Sequence, residues 1–151
     1  MQTTCIVGLG STHGDDQFGW LAADRLALEI ELHHIADVTV RRATAPAQLL
    51  DWLTGIDQLL LIDACRQPGR CGELQQLNWP APEVEELTGS GSHSFSVWQT
   101  LTLASELGTL PPTCRIWCAA GERFEADQDL SPSLLALLPR VVDDVLRWLA
   151  Q

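Results

Sequence analysis

Lysine and tyrosine are absent from this 151-residue sequence, and Met1 is its one methionine. Without lysine there is no Schiff-base amine and no P-loop lysine to hold a nucleotide phosphate. Positive charge is scarce: nine arginines stand against 20 acidic residues, the net charge is −11, and only Arg41 and Arg42 are adjacent. Such a field repels a phosphate backbone, so nucleic acid is not expected as a partner. No apolar run approaches the roughly 18 residues that span a bilayer. The opening MQTTCIVGLG has no basic n-region, so no signal peptide is read there. The five cysteines are odd in number and lack disulfide-framework or zinc-knuckle spacing, which points to reduced thiols in a cytoplasmic protein.

What remains is an ordinary globular composition, 46% hydrophobic and 19% charged, of a length that fits one domain over residues 1–151. Strand and helix patterns alternate from the start. Thr4 to Leu9 is a short apolar run ending near glycine, as in a buried parallel strand. A loop from Gly10 to Asp16 leads to a helical pattern over Phe18 to Ile30. Asp37 to Ala43 reads as a second strand, and Pro46 to Leu53 as a short helix closed by Gly55. Gln58 to Ala64 is the strongest strand, with Pro-Gly marking a turn soon after it. Gly72 to Trp79 alternates like an edge strand, and Pro80 to Gly91 reads as an acidic loop. Ser92 is a candidate N-cap for a helix running to Leu107. Thr113 to Ala120 is a last strand, and Ser131-Pro132 opens a C-terminal helix. The order implies an α/β fold: a three-layer sandwich with a mostly parallel five-stranded sheet flanked by helices, with room for one antiparallel edge strand. Most of the six tryptophans are expected in the core or under helices, with Trp79 the most exposed.

In open α/β sheets ligands bind beyond the carboxyl ends of the strands. The first strand delivers Asp15 and Asp16 to that end, the third delivers Asp63, and the long loop before the third helix delivers His93. Carboxylates and an imidazole suit a borderline divalent cation such as zinc or nickel. Each residue alone has an ordinary reading. Asp15 or Asp16 caps the first helix, Asp63 holds a turn, and His93 lies exposed on a helix. Asp63 resists this most, because a carboxylate directly after Leu-Leu-Leu-Ile needs a partner if buried. Other readings carry less weight. Gly8-Leu9-Gly10 is followed by Gly14, which gives GxGxxxG rather than the dinucleotide fingerprint, and two aspartates occupy the place of a pyrophosphate. No serine stands in GxSxG. Cys65 fits a small buried hydrophobe better than a nucleophile based by His93. His33-His34 closes a helix, where it complements the dipole.

Taken in order, these residues resemble the nickel-dependent hydrogenase maturation endopeptidases. Gly8-Leu9-Gly10-Ser11 leads to Asp15-Asp16-Gln17-Phe18-Gly19, as that family's first strand leads through Gly-x-Gly-Asn to a paired acid and glycine. Leu59 to Ala64 matches its third strand ending in Asp-Ala, and Ser92-His93-Ser94 its histidine after the long loop. The resemblance implies a protease that removes a C-terminal extension from a nickel–iron hydrogenase large-subunit precursor after nickel insertion. It places the metal-sensing and catalytic roles on Asp16, Asp63 and His93, with Asp15 behind them or capping the helix. The nickel would be carried by the precursor and would serve as the recognition element. There are departures. Ser11 replaces asparagine, the loop to Asp15 is shorter, and Ala43-Thr44-Ala45-Pro46 lacks the glycines of a Gly-Thr-x-Gly stretch. The alternatives are a divergent, non-catalytic module that binds a metal or a metallated client, and a nucleotide-binding α/β protein.

Overall fold

A computed structural model describes residues 2–86 and 96–151. Five strands form one sheet: β1 (Thr4–Leu9), β2 (Val38–Ala43), β3 (Gln58–Arg66), β4 (Leu74–Asn78) and β5 (Thr113–Gly121). Their spatial order is β2-β1-β3-β5-β4. β1, β2, β3 and β5 are parallel, and β4 runs antiparallel along β5 as an edge strand. The helices are α1 (Phe18–Leu32), α2 (Pro82–Glu86), α3 (Val97–Glu106) and α4 (Pro132–Leu149). Short 3₁₀ segments cover Gly14–Gln17 and Pro46–Asp51. The expected three-layer α/β sandwich with a mostly parallel sheet is the observed one.

The period-two alternation of the central strands feeds two cores. Ile6, Leu60, Ile62, Trp117 and Ala119 face α1 and α4, where Phe18, Leu26, Leu134 and Val141 cover them. Cys5, Val7, Leu59, Leu61 and Ile116 face the other way, under Leu49, Leu53, Val84 and Leu101. Burial on both faces explains why β1, β3 and β5 read as nearly continuous apolar runs. Each fully buried leucine or isoleucine contributes about 1.5–3 kcal/mol relative to exposure.

Close approach of α1 to β1 sets the geometry at the carboxyl end of the sheet. A Cβ on Gly8 would lie 2.0 Å from the Gly19 carbonyl oxygen, and one on Gly19 would lie 2.1 Å from that of Leu9 and 2.6 Å from that of Ile62. The glycines of the opening motif are therefore packing residues, which lets helix and strand touch backbone to backbone.

Several boundaries differ from expectation. The stretch Pro80 to Gly91 is not all loop, because Pro82 starts α2, a position proline tolerates. α3 begins at Val97, not after Ser92; residues 87–95, and Ser92 with them, lie outside the described residues. Its cap is Ser96: the Oγ accepts from the Gln99 N–H at 3.1 Å, and the Gln99 side chain accepts from the Ser96 N–H at 3.0 Å. This is a capping box with glutamine in the fourth position. Of the tryptophans only Trp117 is buried; the other five are half-buried, and Trp79 packs tilted on Trp98 with centroids 4.9 Å apart.

Candidate active site

The loop after β1 turns on Gly14, whose φ of +53° lies in the left-handed region. A Cβ there would also sit 2.1 Å from the Arg123 carbonyl oxygen, so the loop is pressed against the segment that joins β5 to α4. The adjacent aspartates then take different tasks. Asp15 is completely buried, and its carboxylate accepts four hydrogen bonds. The donors are the Ser131 N–H and hydroxyl, both at 2.7 Å, the Glu122 N–H at 2.8 Å and the Arg123 N–H at 2.9 Å. Burial pushes this carboxyl up, but the combined hydrogen bonds from Arg123, Ser131 and Glu122 outweigh it and hold Asp15 below the usual carboxylate range. Gly121 makes room for it: a Cβ there would lie 2.8 Å from the Asp15 Cβ.

Asp15 therefore does not cap α1, as one reading had it. Gln17 holds the capping position and makes no side-chain cap bond. Asp15 is a buried clamp between two loops. Of its partners, Glu122 and Arg123 carry no signal in the sequence, and Ser131 is legible there only as the start of a helix. Ser131 does precede α4 with Pro132 at the first turn, as expected, but its hydroxyl donates to Asp15 instead of capping the helix.

Asp16, with 6% of its surface exposed, is held by its backbone. Its N–H donates to the His13 carbonyl at 3.0 Å, and its carbonyl accepts from the Ser11 N–H at 3.1 Å. Among the described residues no hydrogen bond reaches its carboxylate, in contrast to Asp15. Asp63 lies in register with Cys118 of β5, and β3 runs on past it to Arg66, where a strand ending at Ala64 was expected. Its carboxylate accepts from the Ala64 N–H at 2.8 Å. Desolvation is the main cause that pushes Asp63 well above the ordinary carboxylate range, and the charge of Asp16 adds to it. By accessible surface Asp63 is only half-buried. Low solvation and the like charge of Asp16 both favour the neutral acid.

The structure thus brings Asp16 and Asp63 together at the carboxyl end of the sheet, where chain topology predicts a ligand site. Two acids that repel each other, with a single described hydrogen bond to their carboxylates, from the Ala64 N–H to Asp63, form a place that gains from a cation or a shared proton. His93, the third residue of the expected set, lies outside the described residues. Among the described residues no group of three or more metal-binding side chains is assembled.

Cys65 is the small buried side chain expected, and of the five cysteines only Cys71 is not buried. Cys65 is buried, its thiol 3.8 Å from the Ala119 carbonyl, and all five are free. A hydrogen bond from Cys118 lowers the Cys65 thiol against the opposing effect of burial. Burial and that same bond raise Cys118. His33 caps α1, with Nδ1 2.9 Å from the Glu29 carbonyl oxygen and 3.3 Å from its carboxylate. In the segment Thr44-Ala45-Pro46 the turn is held by Gln48, whose Oε1 accepts from the Thr44 N–H at 2.6 Å and the Ala45 N–H at 3.1 Å. A cavity of about 430 Å³ lies at the opposite end of the sheet, lined by Thr4, Asp37, Gln58 and Trp148, remote from the paired acids.

No family model matches the sequence. No curated protein matches it either. Solved structures do match the fold. The hydrogenase maturating endopeptidase HybD from E. coli superposes with a TM-score of 0.77 at 19% identity, covering 99% of this chain and 93% of that one. A [NiFe] hydrogenase maturation protease, HycI from Thermococcus kodakarensis, gives 0.73 at 19% identity over 99% and 94%. A hydrogenase 2 maturation peptidase from a Thaumarchaeota archaeon gives 0.67 at 21% identity over 99% of both chains. The chain shares the fold of these proteins along nearly its whole length.

Proposed function

We propose that this chain is a processing endopeptidase that removes the C-terminal extension of a nickel–iron hydrogenase large-subunit precursor, with nickel in the precursor as the recognition element. The observation that supports this best is the pairing of Asp16 and Asp63 at the carboxyl end of a sheet shared with hydrogenase maturation endopeptidases. The nickel belongs to the substrate and leaves with it. Bound between chain and precursor, it would act as a Lewis acid on the scissile carbonyl or on water.

The chain's own residues do the rest. Asp16 presents a carboxylate free of described hydrogen-bond donors, so a cation displaces no protein contact there. Asp63 is poised to hold a proton until a cation arrives, because desolvation and, after it, the charge of Asp16 favour its neutral form. Release of that proton as the precursor docks couples recognition to a change in charge. His93 is the proposed third ligand and proton carrier. Asp15 keeps Asp16 in place by tying its loop to Glu122, Arg123 and Ser131. No described helix is long and apolar enough to cross a membrane. The five free cysteines suit the reducing cytoplasm, where we place the protein.

The test is the intact mass of a large-subunit precursor after incubation with the protein, using nickel-loaded and nickel-free precursor in parallel. The expected result is loss of a C-terminal peptide from the loaded form alone. H93A should stop processing with the circular dichroism spectrum unchanged, and full processing by that variant would overturn the site assignment. A nickel-dependent complex with no change of mass would replace the peptidase reading with that of a binding module.

A further inference from the structure

In a chain of net charge −11, the one adjacent pair of basic residues closes the carboxyl end of an open sheet edge. β2 bonds to β1 on one side and to no other described strand. Strand alternation sends Arg41 and Arg42 to opposite faces. Each guanidinium lies on an indole: Arg42 is 4.0 Å from the Trp20 ring centroid, and Arg41 is 5.1 Å from that of Trp52. Stacking of this kind holds a cation in place and lowers the entropy lost when it binds an anion. Arg42 also faces Asp24 at 3.6 Å, an exposed pair of small energetic weight, while Arg41 has no carboxylate partner among the described residues. The edge leads into the site. The Ala43 carbonyl oxygen accepts from the Gly10 N–H, at the start of the loop carrying Asp16, and from the Trp20 indole N–H.

We infer that the open edge of β2 is a docking strand for an extended, acidic peptide segment of the protein substrate. Successive side chains of an added strand point to opposite faces. Two consecutive acidic residues would therefore meet Arg41 on one face and Arg42 on the other, with backbone hydrogen bonds to Val38–Ala43 setting the register. Val38, Thr39 and Val40 include no proline or charge that would block such an addition. The identity of the occupant rests on the peptidase reading above; the presence of the docking edge does not.

The experiment titrates the full-length protein with a fluorescein-labelled peptide of Thr, Val and Ser residues around a central Glu-Glu, read by anisotropy at about 0.1 M salt. Gln-Gln and Lys-Lys peptides and a single-stranded oligonucleotide serve as comparisons. The Glu-Glu peptide should bind best and protect the amides of Val38–Ala43 from hydrogen exchange. R41Q should weaken it about tenfold, as loss of one charge-assisted contact implies. R41K should restore part of the loss, and R41E should turn the preference toward lysine. That gain keeps the test valid if R41Q, by uncovering Trp52, disturbs the fold. Equal affinity for the Gln-Gln peptide, protection elsewhere, no loss in R41Q, or equal binding of the oligonucleotide would each overturn the docking edge. Precursor processing separates the two ideas. Unchanged KM and kcat in R41Q would overturn the edge and leave the peptidase reading standing, whereas peptide binding at β2 with no precursor cleaved would do the reverse.

Discussion

Replacing Asp15 with alanine tests whether the two neighbouring aspartates divide the work. The change strands four donors. Ser131 is 1% exposed, so its N–H and hydroxyl lose their acceptor in a place water reaches poorly. Glu122 and Arg123 are exposed residues, and their N–H groups can be rehydrated in part. A buried group left unsatisfied costs roughly 1–3 kcal/mol, and removing one partner of a buried charged network costs about 3–5 kcal/mol. We expect D15A to lose about 3–5 kcal/mol, a large share of the 5–15 kcal/mol typical of a domain. In a chain of this length the melting temperature should fall by roughly 6–20 °C. The sign with pH follows from the lowered Asp15 pKa. Its contribution is complete above the unfolded value of 3.8 and is lost as pH falls through the folded value, so the deficit of D15A shrinks in acid. Urea titrations followed by tryptophan fluorescence at neutral and acid pH measure both. D16A, which removes no described hydrogen bond and relieves repulsion on Asp63, should stay within about 1 kcal/mol of wild type or exceed it. A D15A protein as stable as wild type, or a D16A protein as damaged as D15A, would refute the division.

Three further outcomes follow from the same geometry. G19A should cost about 3 kcal/mol or more, since its methyl group meets two backbone carbonyl oxygens that have no side chain to move aside; a thermal melt reads it. D63N should be more stable than wild type at pH 8 and equal to it in strong acid. The raised Asp63 pKa means the folded state binds the proton more tightly, so the penalty of the charged form grows as pH rises from 3.8 through the folded value; urea midpoints along a pH series check this. S96A should lose about 1 kcal/mol by removing the α3 cap, visible as a small drop in urea midpoint.

The sequence makes the sheet legible because its central strands are buried on both faces. Thr4–Leu9 emerges with the expected bounds, and Gln58 and Thr113 start their strands as expected. Ends were harder to place. β3 and β5 extend each other past Ala64 and Ala120 through pairing that neither segment encodes alone. α2 is hidden because a five-residue acidic helix that opens on a proline has no apolar period to detect. Ser96-x-x-Gln99 is a readable capping box, and it places the start of α3 four residues after the expected cap, Ser92. At the site, Asp63 was visible as a lone acid in an apolar run. The difference between Asp15 and Asp16 was not visible, because it is decided by residues 107 to 116 positions away in the chain.

That distance has a consequence for how the protein is made. β5 lies between β3 and β4, so the edge strand cannot dock until residues well beyond it have left the ribosome. The Asp15 clamp waits longer still, for Ser131 near the start of the last helix. A nascent chain can pair β1, β2 and β3 early, but the loop bearing Asp16 stays untied until synthesis is almost complete. Premature chains would carry both acids without the clamp that fixes the loop bearing Asp16.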